Sequence, residues 1–458
     1  MNRIDYSKIP SNGLYFTPSD FQEWGDYFSS IFPDVRNFER ENPEDKNPLA
    51  LTLTFVVTER CNLRCTYCYE SHEVHKCGKR MTKEVADKAI DMIFDREKTK
   101  GYFTIEEKPA VILEFIGGEP LLEIDLIDYI TDRFRLKAFE LDHPWATNHM
   151  ISISTNGTLY NNPKVEKYLQ KNKNSVSVTI TVDGNKDLHD SCRLFPNGSG
   201  SYDIVEKAVK KNYEGRFKKT TKLTLAPENI EHIVPAFINC WENLGCDMIY
   251  ANCVYEHVWE DHHPLILFNN LVKLADYMLE NKIYETKATS ILNEDIGQKL
   301  VDDNNYCGGN GEMLAIGPDG TCYPCLRFMQ HSMKHNRPAF TCGHVDKCLA
   351  DKKTDEKLCH LCSVKISTQS PQKCLDCNIS QGCGLCTAYN YDYFGDPNKR
   401  ATAICGMHKA RVMASSYFYN KLYKKLDLEK RFKLNLEKEL ALQIIDENTY
   451  NMLKELEE

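Results

Sequence analysis

The chain has 458 residues, of which 42% are hydrophobic and 27% charged, as in an ordinary soluble globular protein. Its formal net charge of −9 argues against a nucleic-acid-binding protein, because such proteins need a basic surface to meet phosphates. The N-terminal residues lack the apolar core of a signal peptide, and no apolar run is long enough to span a bilayer. We therefore expect a cytoplasmic protein that binds neither nucleic acid nor a membrane.

In chain order, residues 1–49 are polar and aromatic without a clear period, and residues 50–290 alternate between strands and helices. Apolar runs predict strands at 51–57, 111–115, 150–154, 177–182, 222–225 and 248–253. Later strands are followed by predicted helices at 121–139, 163–170, 202–212, 230–244 and 265–280. Repeated β-then-α units imply a parallel sheet with right-handed crossovers, and in barrels of this kind the active site lies at the carboxyl ends of the strands.

The alternation stops near residue 300, which suggests further domains. Residues 300–410 are rich in cysteine and glycine, and residues 411–458 are rich in Lys, Glu and Leu and are predicted to be helical. We therefore expect an N-terminal segment over 1–49, an α/β domain over 50–290, a cysteine-rich domain over 300–410 and a helical C-terminus over 411–458.

Cysteine is the unusual residue, with 20 copies, of which three lie between Cys61 and Cys68 and twelve between Cys307 and Cys405. In a reducing compartment such clusters more often bind metal or carry out chemistry than form disulfides. The first cluster directly follows the first predicted strand as Cys61-Asn-Leu-Arg-Cys65-Thr-Tyr-Cys68. An iron–sulfur cubane normally takes four thiolates, so this loop would leave one iron open to a small molecule. The alternative is that the three cysteines form one face of a buried helix.

This C-x3-C-x2-C pattern after a strand resembles the signature of the radical S-adenosylmethionine (SAM) enzymes. The resemblance implies a partial (β/α)6 barrel with a [4Fe–4S] cluster bound by Cys61, Cys65 and Cys68. It also implies that the open iron binds the amino and carboxylate groups of SAM. Cleavage of SAM then yields methionine and a 5′-deoxyadenosyl radical, which removes a hydrogen atom from the substrate.

Motifs at the ends of later strands agree with this resemblance. The family's corresponding motifs imply that SAM is contacted by Gly117, Gly118, Glu119, Pro120, Ser154, Asn156 and Arg193. A glycine pair lets the backbone approach a ligand, and Glu119 can accept hydrogen bonds from an ammonium group. Asp183 begins a stretch with His189, Asp190 and Arg193 that also resembles a family element, although Asp183 could instead cap a turn. Cys192 matches no motif, and Tyr67 and Tyr69 could pack on a ligand or in the core.

The second cysteine region resembles the SPASM extension of radical SAM enzymes, which carries two auxiliary [4Fe–4S] clusters. Cys307 precedes Gly320 and Cys325, and a C-x2-C-x5-C-x2-C run and a last cysteine follow. The resemblance implies an outer cluster bound by Cys374, Cys377, Cys383 and Cys405, and an inner cluster bound by Cys307, Cys325 and Cys386. The family usually has three residues before the last cysteine of the run, whereas only Gly384 and Leu385 intervene here.

The fourth ligand of the inner cluster stays open. Cys322 is the nearest candidate, but on a strand it would face away from Cys325, which favours an open iron able to bind a substrate thiolate. The surplus cysteines are Cys342, Cys348, Cys359 and Cys362. The last two could belong to a zinc knuckle, and the whole region could in principle be zinc ribbons.

Two peptide-modifying branches of the family compete as the function. Enzymes that mature sulfatases carry an aspartate base after the cysteine corresponding to Cys325, where this chain has Leu326. The other branch forms thioether crosslinks in ribosomally made peptides and is favoured here. The expected partners are a precursor peptide with cysteines, which a shortened element in residues 1–49 could recognise, and a reducing protein such as flavodoxin or ferredoxin. A ferredoxin-type electron carrier and a zinc-binding protein are the non-enzyme alternatives.

Overall fold

The computed structural model describes residues 50–70, 72–214, 219–255 and 259–458, apart from the side chains of residues 72–74. The predicted N-terminal segment, residues 1–49, lies outside these residues. The chain divides into two compact units. Of the described residues, unit 1 takes in 50–62, Glu70–Thr179 and Cys307–Ser363, and unit 2 takes in Leu63–Tyr69, Ile180–Tyr306 and Val364–Glu458. The domain boundaries expected from the sequence remain predictions.

The strands are short, and the longest is the first. They are β1 (Ala50–Thr58), β2 (Ala110–Gly117), β3 (His149–Thr155), β4 (Val176–Ile180), β5 (Thr220–Leu225), β6 (Met248–Cys253), β7 (Ala288–Thr289), β8 (Met313–Ile316), β9 (Thr321–Tyr323) and β10 (Gly343–His344). One sheet has the order β10-β9-β8-β1-β2-β3-β4, and a smaller sheet has the order β5-β6-β7. Strand β1 is central in the larger sheet and pairs in parallel with β2 and β8.

The apolar sequence of β1 explains its central place. Leu53, Phe55 and Val57 are wholly buried, and six consecutive residues of the strand, from Leu53 to Thr58, are buried. A strand that is buried on both faces belongs inside a parallel sheet. Its register with β2 shifts between Val56 and Thr58, so the chain leaves the ladder at an irregularity just before Cys61.

Helices follow most of the strands. The α-helices are His72–Cys77, Lys83–Ile93, Arg96–Thr99, Ile124–Glu140, Pro163–Lys171, Lys186–Cys192, Tyr202–Tyr213, Ile233–Ile238, His263–Glu280, Glu356–Cys362, Ile366–Gln369, Gln372–Leu375, Thr387–Phe394, Cys405–Lys425, Lys438–Ala441 and Glu447–Glu457. Local sequence sets several of their starts: the Asn162 side chain accepts a hydrogen bond from the Lys164 N–H, and Pro163 occupies the first helical position. None of the helices in the described ranges is both long enough and apolar enough to cross a membrane.

The predicted α/β class is confirmed, and each of the six predicted strands is present within a few residues of its expected bounds. The segment predicted as one helix over 230–244 is instead a 3-10 turn, a short α-helix and a π-helical turn over Asn239–Asn243. Strands β8, β9 and β10 lie in the cysteine-rich region, where the sequence suggested only short turns. Their length of two to four residues is too short to give a periodic pattern.

Candidate active site

In unit 1, the first cysteine is linked to the turn after β3. The Asn156 amide donates a hydrogen bond to Asn62 Oδ1 at 2.9 Å, and its nitrogen lies 3.9 Å from Cys61 Sγ. The Asn62 amide in turn donates to Thr158 Oγ1 at 2.8 Å. Two residues predicted separately, Cys61 and Asn156, are therefore brought together. An amide beside a thiolate is a feature that tunes iron–sulfur clusters.

The glycine pair after β2 packs closely against the chain that leaves β1. A Cβ atom at Gly117 would overlap the carbonyl oxygen of Thr58, and one at Gly118 would overlap that of Arg60. The backbone N–H groups of Gly118 and Glu119 donate to those same two carbonyls, at 3.0 and 2.8 Å. Glycine is thus required here for backbone packing, a role that the sequence analysis did not foresee.

Glu119 is wholly buried and joins the ends of β2 and β3. Its carboxylate accepts hydrogen bonds from Thr155 Oγ1 at 2.6 Å, from the Asn156 N–H at 2.8 Å and from the Leu121 N–H at 3.0 Å. It also caps the 3-10 turn that starts at Pro120. Ser154, at the end of β3, is half-buried. Contact of these residues with SAM stays a prediction, and the geometry adds a role for Glu119 in positioning the β3 turn.

In unit 2, Asp183 forms the centre of a buried polar cluster. One carboxylate oxygen accepts from the Tyr67 hydroxyl and from Arg193 Nε, the latter at 2.7 Å, and the other accepts from the Thr224 N–H at 3.2 Å. The Arg193 guanidinium carbon lies 5.6 Å from the centre of the Tyr67 ring. Asp183 therefore ties the cysteine loop to β5, and it does more than cap a turn.

The same loop is anchored to residues 192–194. The N–H groups of Arg64 and Thr66 donate to the carbonyl oxygens of Leu194 and Cys192, at 2.7 and 2.9 Å. Tyr67 packs with Cys192 and Ala226, and the half-buried Cys65 lies against this apolar group. Cys192, which matched no motif, is thus a neighbour of a predicted cluster ligand. Its position next to Arg193 in the sequence was the only signal for it.

Two further motif residues support the backbone. His189 is wholly buried and bonds to the Asp183 N–H at 3.3 Å and to Ser201 Oγ at 3.0 Å. Burial lowers the pKa of His189 to about 4, which keeps the ring neutral at neutral pH. Asp190 accepts a hydrogen bond from the Tyr202 N–H at 2.8 Å, at the start of a helix.

The predicted ligands of the outer cluster line one cavity in unit 2. This cavity has a volume of about 250 Å³ and is lined by Cys374, Cys377, Cys383 and Cys405 together with basic residues that include Lys373, Arg400 and Lys409. Burial raises the pKa of Cys383 to about 11, Arg400 opposes this rise, and the other three thiols add to it. Four thiols around one cavity match the donor set of a cubane cluster, and nearby cations would offset its negative charge.

The predicted inner-cluster ligands are divided between the units, and each unit has a clear local arrangement. In unit 1, burial and the nearby Cys307 thiol raise the pKa of Cys325 to about 12. In unit 2, Cys386 precedes the helix Thr387–Phe394, and its sulfur accepts from the Tyr389 N–H at 3.4 Å. Gly384 packs against the Tyr255 hydroxyl so closely that a Cβ atom would overlap it. The short spacing before Cys386 therefore coincides with a tightly packed turn.

Cys322 belongs to different surroundings from Cys325. Strand β9 ends at Tyr323, so the expectation that the two side chains alternate along one strand does not apply. Cys322 is wholly buried, and its thiol interacts with that of Cys342, whereas Cys325 interacts with Cys307. Cys359 donates a hydrogen bond through Sγ to the Lys352 carbonyl oxygen at 2.8 Å.

Within the part of the chain that the structure describes, no group of three or more His, Cys, Asp or Glu side chains is gathered to hold a metal ion. A zinc ion needs its sulfur ligands at about 2.3 Å from one point. A cubane instead places its irons at separate corners, and its thiolates lie around a wider volume. The four outer cysteines line one cavity without being gathered around a single point.

Comparison with known proteins confirms the resemblance to radical SAM enzymes. Residues 55–237 match the model of the radical SAM superfamily. An uncharacterized protein of Methanocaldococcus jannaschii is 32% identical over 174 residues, which are 38% of this chain and 52% of that protein. The radical SAM cyclopropyl synthase TigE of Paramaledivibacter caminithermalis is 23% identical over 287 residues, or 60% of this chain and 57% of that protein.

The antilisterial bacteriocin subtilosin biosynthesis protein AlbA of Bacillus subtilis is 29% identical over 167 residues, or 36% of this chain and 30% of that protein. The chain therefore spans between 30% and 57% of the length of these curated relatives. Among solved structures, anSMEcpe with bound AdoMet has a TM-score of 0.61 at 19% identity, covering 82% of this chain and 99% of that chain. Streptococcus suis SuiB bound to the precursor peptide SuiA has a TM-score of 0.52 at 15% identity, covering 84% and 87%. At these identities the likeness shows a shared fold.

Proposed function

We propose that this chain, which carries a radical SAM domain, is a SAM-dependent enzyme that modifies a ribosomally made peptide. The observation that carries the proposal is the cysteine loop after β1. Its residues form hydrogen bonds with the motif that contains Asn156 and with the motif that contains Asp183. Asn156 reaches Cys61 and Asn62 in unit 1, and Asp183 holds Tyr67 in unit 2. A loop fixed at two places by polar side chains is organised as a ligand site.

The proposed cofactors are SAM and three [4Fe–4S] clusters. Cys61, Cys65 and Cys68 would hold the first cluster, and with SAM bound it would supply a 5′-deoxyadenosyl radical for hydrogen abstraction. Glu119 positions the Asn156 backbone, and Asp183 fixes the direction of the Arg193 guanidinium. An arginine held in this way is suited to bind a carboxylate group, which SAM carries.

The peptide substrate is supported by the proteins that share features with this chain. SuiB has been solved with a precursor peptide, and AlbA takes part in the biosynthesis of a bacteriocin. For this chain we propose a precursor peptide that contains cysteine. Flavodoxin or ferredoxin is proposed as the reductant, because the first cluster needs an external electron.

Within peptide modification, we propose a thioether crosslink. In such a reaction the hydrogen atom of a peptide C–H bond would pass to the 5′-deoxyadenosyl radical, the cysteine thiol would lose its proton to solvent, and a carbon–sulfur bond would form. One electron is left over, and auxiliary clusters held by the second cysteine region would supply an acceptor for it. Formylglycine formation is the second candidate, and the fold shared with anSMEcpe supports it. Leu326 weighs against it, since a leucine side chain cannot act as the base that the sulfatase-maturing branch places after this cysteine.

The first experiment is anaerobic reconstitution followed by measurement of iron, sulfide and zinc per chain. Three cubanes predict about 12 iron atoms per chain. About four iron atoms per chain would agree with the radical SAM cluster alone and would contradict the two auxiliary clusters. Zinc without iron would refute the enzyme proposal. With iron in place, SAM cleavage by a reduced sample is the activity to measure next.

Mass spectrometry of a treated cysteine-containing peptide then separates the two chemistries. A thioether removes two hydrogen atoms and keeps the sulfur, whereas formylglycine made from cysteine loses the sulfur. The Cys348→Ala variant is a suitable control for both experiments, because Cys348 is exposed and belongs to no proposed ligand set.

A further inference from the structure

Two carboxylates of unit 1 flank the first cysteine loop in the sequence. Glu59 stands two residues before Cys61, and Glu70 stands two residues after Cys68. Their side chains are only 16% and 3% exposed. Carboxylates so far from water are costly unless cations or hydrogen-bond donors meet them, so their partners decide how the ends of the loop are held.

One residue contacts both carboxylates. The His331 side chain is 6% exposed, its Nδ1 lies 3.8 Å from Glu59 Oε1, and its Nε2 lies 3.5 Å from Glu70 Oε1. Because the two ring nitrogens point in different directions, a single imidazolium can serve both carboxylates. Although burial disfavours the charged ring, hydrogen bonds to Glu59 and Glu70 raise the pKa of His331 to about 9.

The other contacts complete a connected group. His75 Nε2 lies 3.2 Å from Glu70 Oε2, and the Cys61 N–H donates to the His75 carbonyl oxygen at 3.2 Å. The Lys79 N–H donates to Glu59 Oε2 at 2.7 Å. The backbone N–H of the first predicted ligand, Cys61, is thus linked to His331 through two residues, Glu70 and His75.

His331 does not belong to the α/β region that carries the loop. It lies in the 3-10 turn Gln330–Ser332, within the cysteine-rich region after Cys325. This turn is fixed by its own hydrogen bonds: the Gln330 amide donates to the Arg337 carbonyl oxygen at 3.0 Å and accepts from the Ala339 N–H at 3.0 Å. The imidazole therefore projects from a turn whose conformation is held by hydrogen bonds.

We propose that His331 is a positioning residue for the first cluster, and that it acts by pairing with the carboxylates at both ends of the cysteine loop. The inference rests on the proposed function, since it assumes that the loop holds the cluster that binds SAM. It assigns to the cysteine-rich region a role besides holding auxiliary clusters. Folding of the Gln330–Ser332 turn would be needed for the Cys61–Cys68 loop to adopt its working shape.

The test compares His331→Leu with His331→Lys in the reconstituted full-length protein. Leucine keeps apolar volume and removes the charge, whereas lysine keeps a cation. We expect His331→Leu to slow SAM cleavage at least tenfold and to reduce by at least half the change that SAM causes in the EPR signal of the reduced protein. We expect His331→Lys to keep at least half of both. Iron per chain should fall by no more than about four atoms, the content of one cubane.

His344→Leu is the matched control. His344 lies in the same cysteine-rich region, is 34% exposed and bonds to the Asp319 carbonyl oxygen at 3.1 Å. This variant should resemble the wild type in iron content, in EPR response and in SAM cleavage. The double variant Glu70→Gln/His331→Leu should lose less than the two single variants lose together, because the two residues share a contact.

Two results would overturn the inference. One is a His331→Leu protein that matches the wild type within twofold in SAM cleavage and shows the full EPR response. The other is equal impairment of the leucine and lysine variants, which would assign His331 to packing alone. A wild-type protein that binds no iron would refute the proposed function itself, and that result is seen without any variant.

Discussion

The outer cysteines and the buried carboxylates at the strand ends differ in what surrounds them: the cysteines line a cavity, and the carboxylates bond to other groups of the chain. Cys374, Cys377, Cys383 and Cys405 line one cavity. Glu119 and Asp183 instead direct their carboxylates to groups of the chain itself. Both sets belong to motifs that resemble those of radical SAM enzymes. The difference shows that some motif residues are arranged for a ligand, whereas others hold those residues in place.

The largest expected effect is the loss of iron when a cysteine that lines the outer cavity is replaced. Cys383→Ala should remove about four iron atoms per chain, because a cubane normally needs all its protein thiolates. The thermal midpoint of the cluster-free protein should change little, since Cys383 lines a cavity and its truncation removes a single atom. Iron and sulfide analysis after reconstitution measures the first quantity, and a thermal melt measures the second. Unchanged iron would remove Cys383 from the ligand set and weaken the comparison.

The Asp183→Asn variant tests a carboxylate that bonds to groups of the chain itself. It should lower the free energy of unfolding of the cluster-free protein by about 3 kcal/mol, because a buried guanidinium loses its charged partner. Urea denaturation followed by circular dichroism gives this value. Asp203→Asn is the control, since Asp203 pairs with Lys186 at the surface, with 70% of its side chain exposed. A stable Asp183→Asn protein that fails only in SAM binding would place Asp183 among the ligand residues instead.

Gly118→Ala separates backbone packing from ligand contact. The added methyl group would overlap the Arg60 carbonyl oxygen, so we expect a loss of about 2 kcal/mol in stability even without SAM. Gly198→Ala probes the strain of a positive φ, because Gly198 has φ +84° and open space around its Cα. The difference between the free energies of unfolding of the two variants then measures the destabilisation that the steric overlap causes at Gly118. If Gly118→Ala is fully stable and only SAM affinity falls, the glycine pair serves the ligand first.

The smallest effect is expected for Cys359→Ser. Cys359 and Cys362 have the same C-x2-C spacing as Cys374 and Cys377, but the first pair lies on the helix Glu356–Cys362, where the Cys359 thiol bonds to a backbone carbonyl. Serine can keep that bond, so stability should change by less than about 1 kcal/mol and iron content should not change. A loss of iron in this variant would show that Cys359 contributes to iron binding, as is proposed for Cys374 and Cys377.

Local patterns predicted what depends on local sequence. The apolar run 51–57 predicted β1, and the resemblance to the SPASM extension pointed to four cysteines that line one cavity, while their role as ligands stays a prediction. Contacts between distant segments could not be predicted. The bond from Tyr67 to Asp183 joins residues 116 positions apart, and nothing near either residue signals the other. His331 has no motif at all, and only the folded arrangement places it between Glu59 and Glu70. Strand β8 was missed because four residues give too little period to distinguish a strand from a turn.

The pairing of β8 with β1 affects how the protein can be shortened. Thr52 to Phe55 of β1 are covered by Met313 to Ile316 on one side and by β2 on the other. A fragment that ends near residue 300 would keep residues 55–237, which match the radical SAM model, but would leave one edge of β1 without a neighbour. Open, apolar strand edges recruit other chains, so such a fragment should aggregate rather than yield a soluble catalytic core.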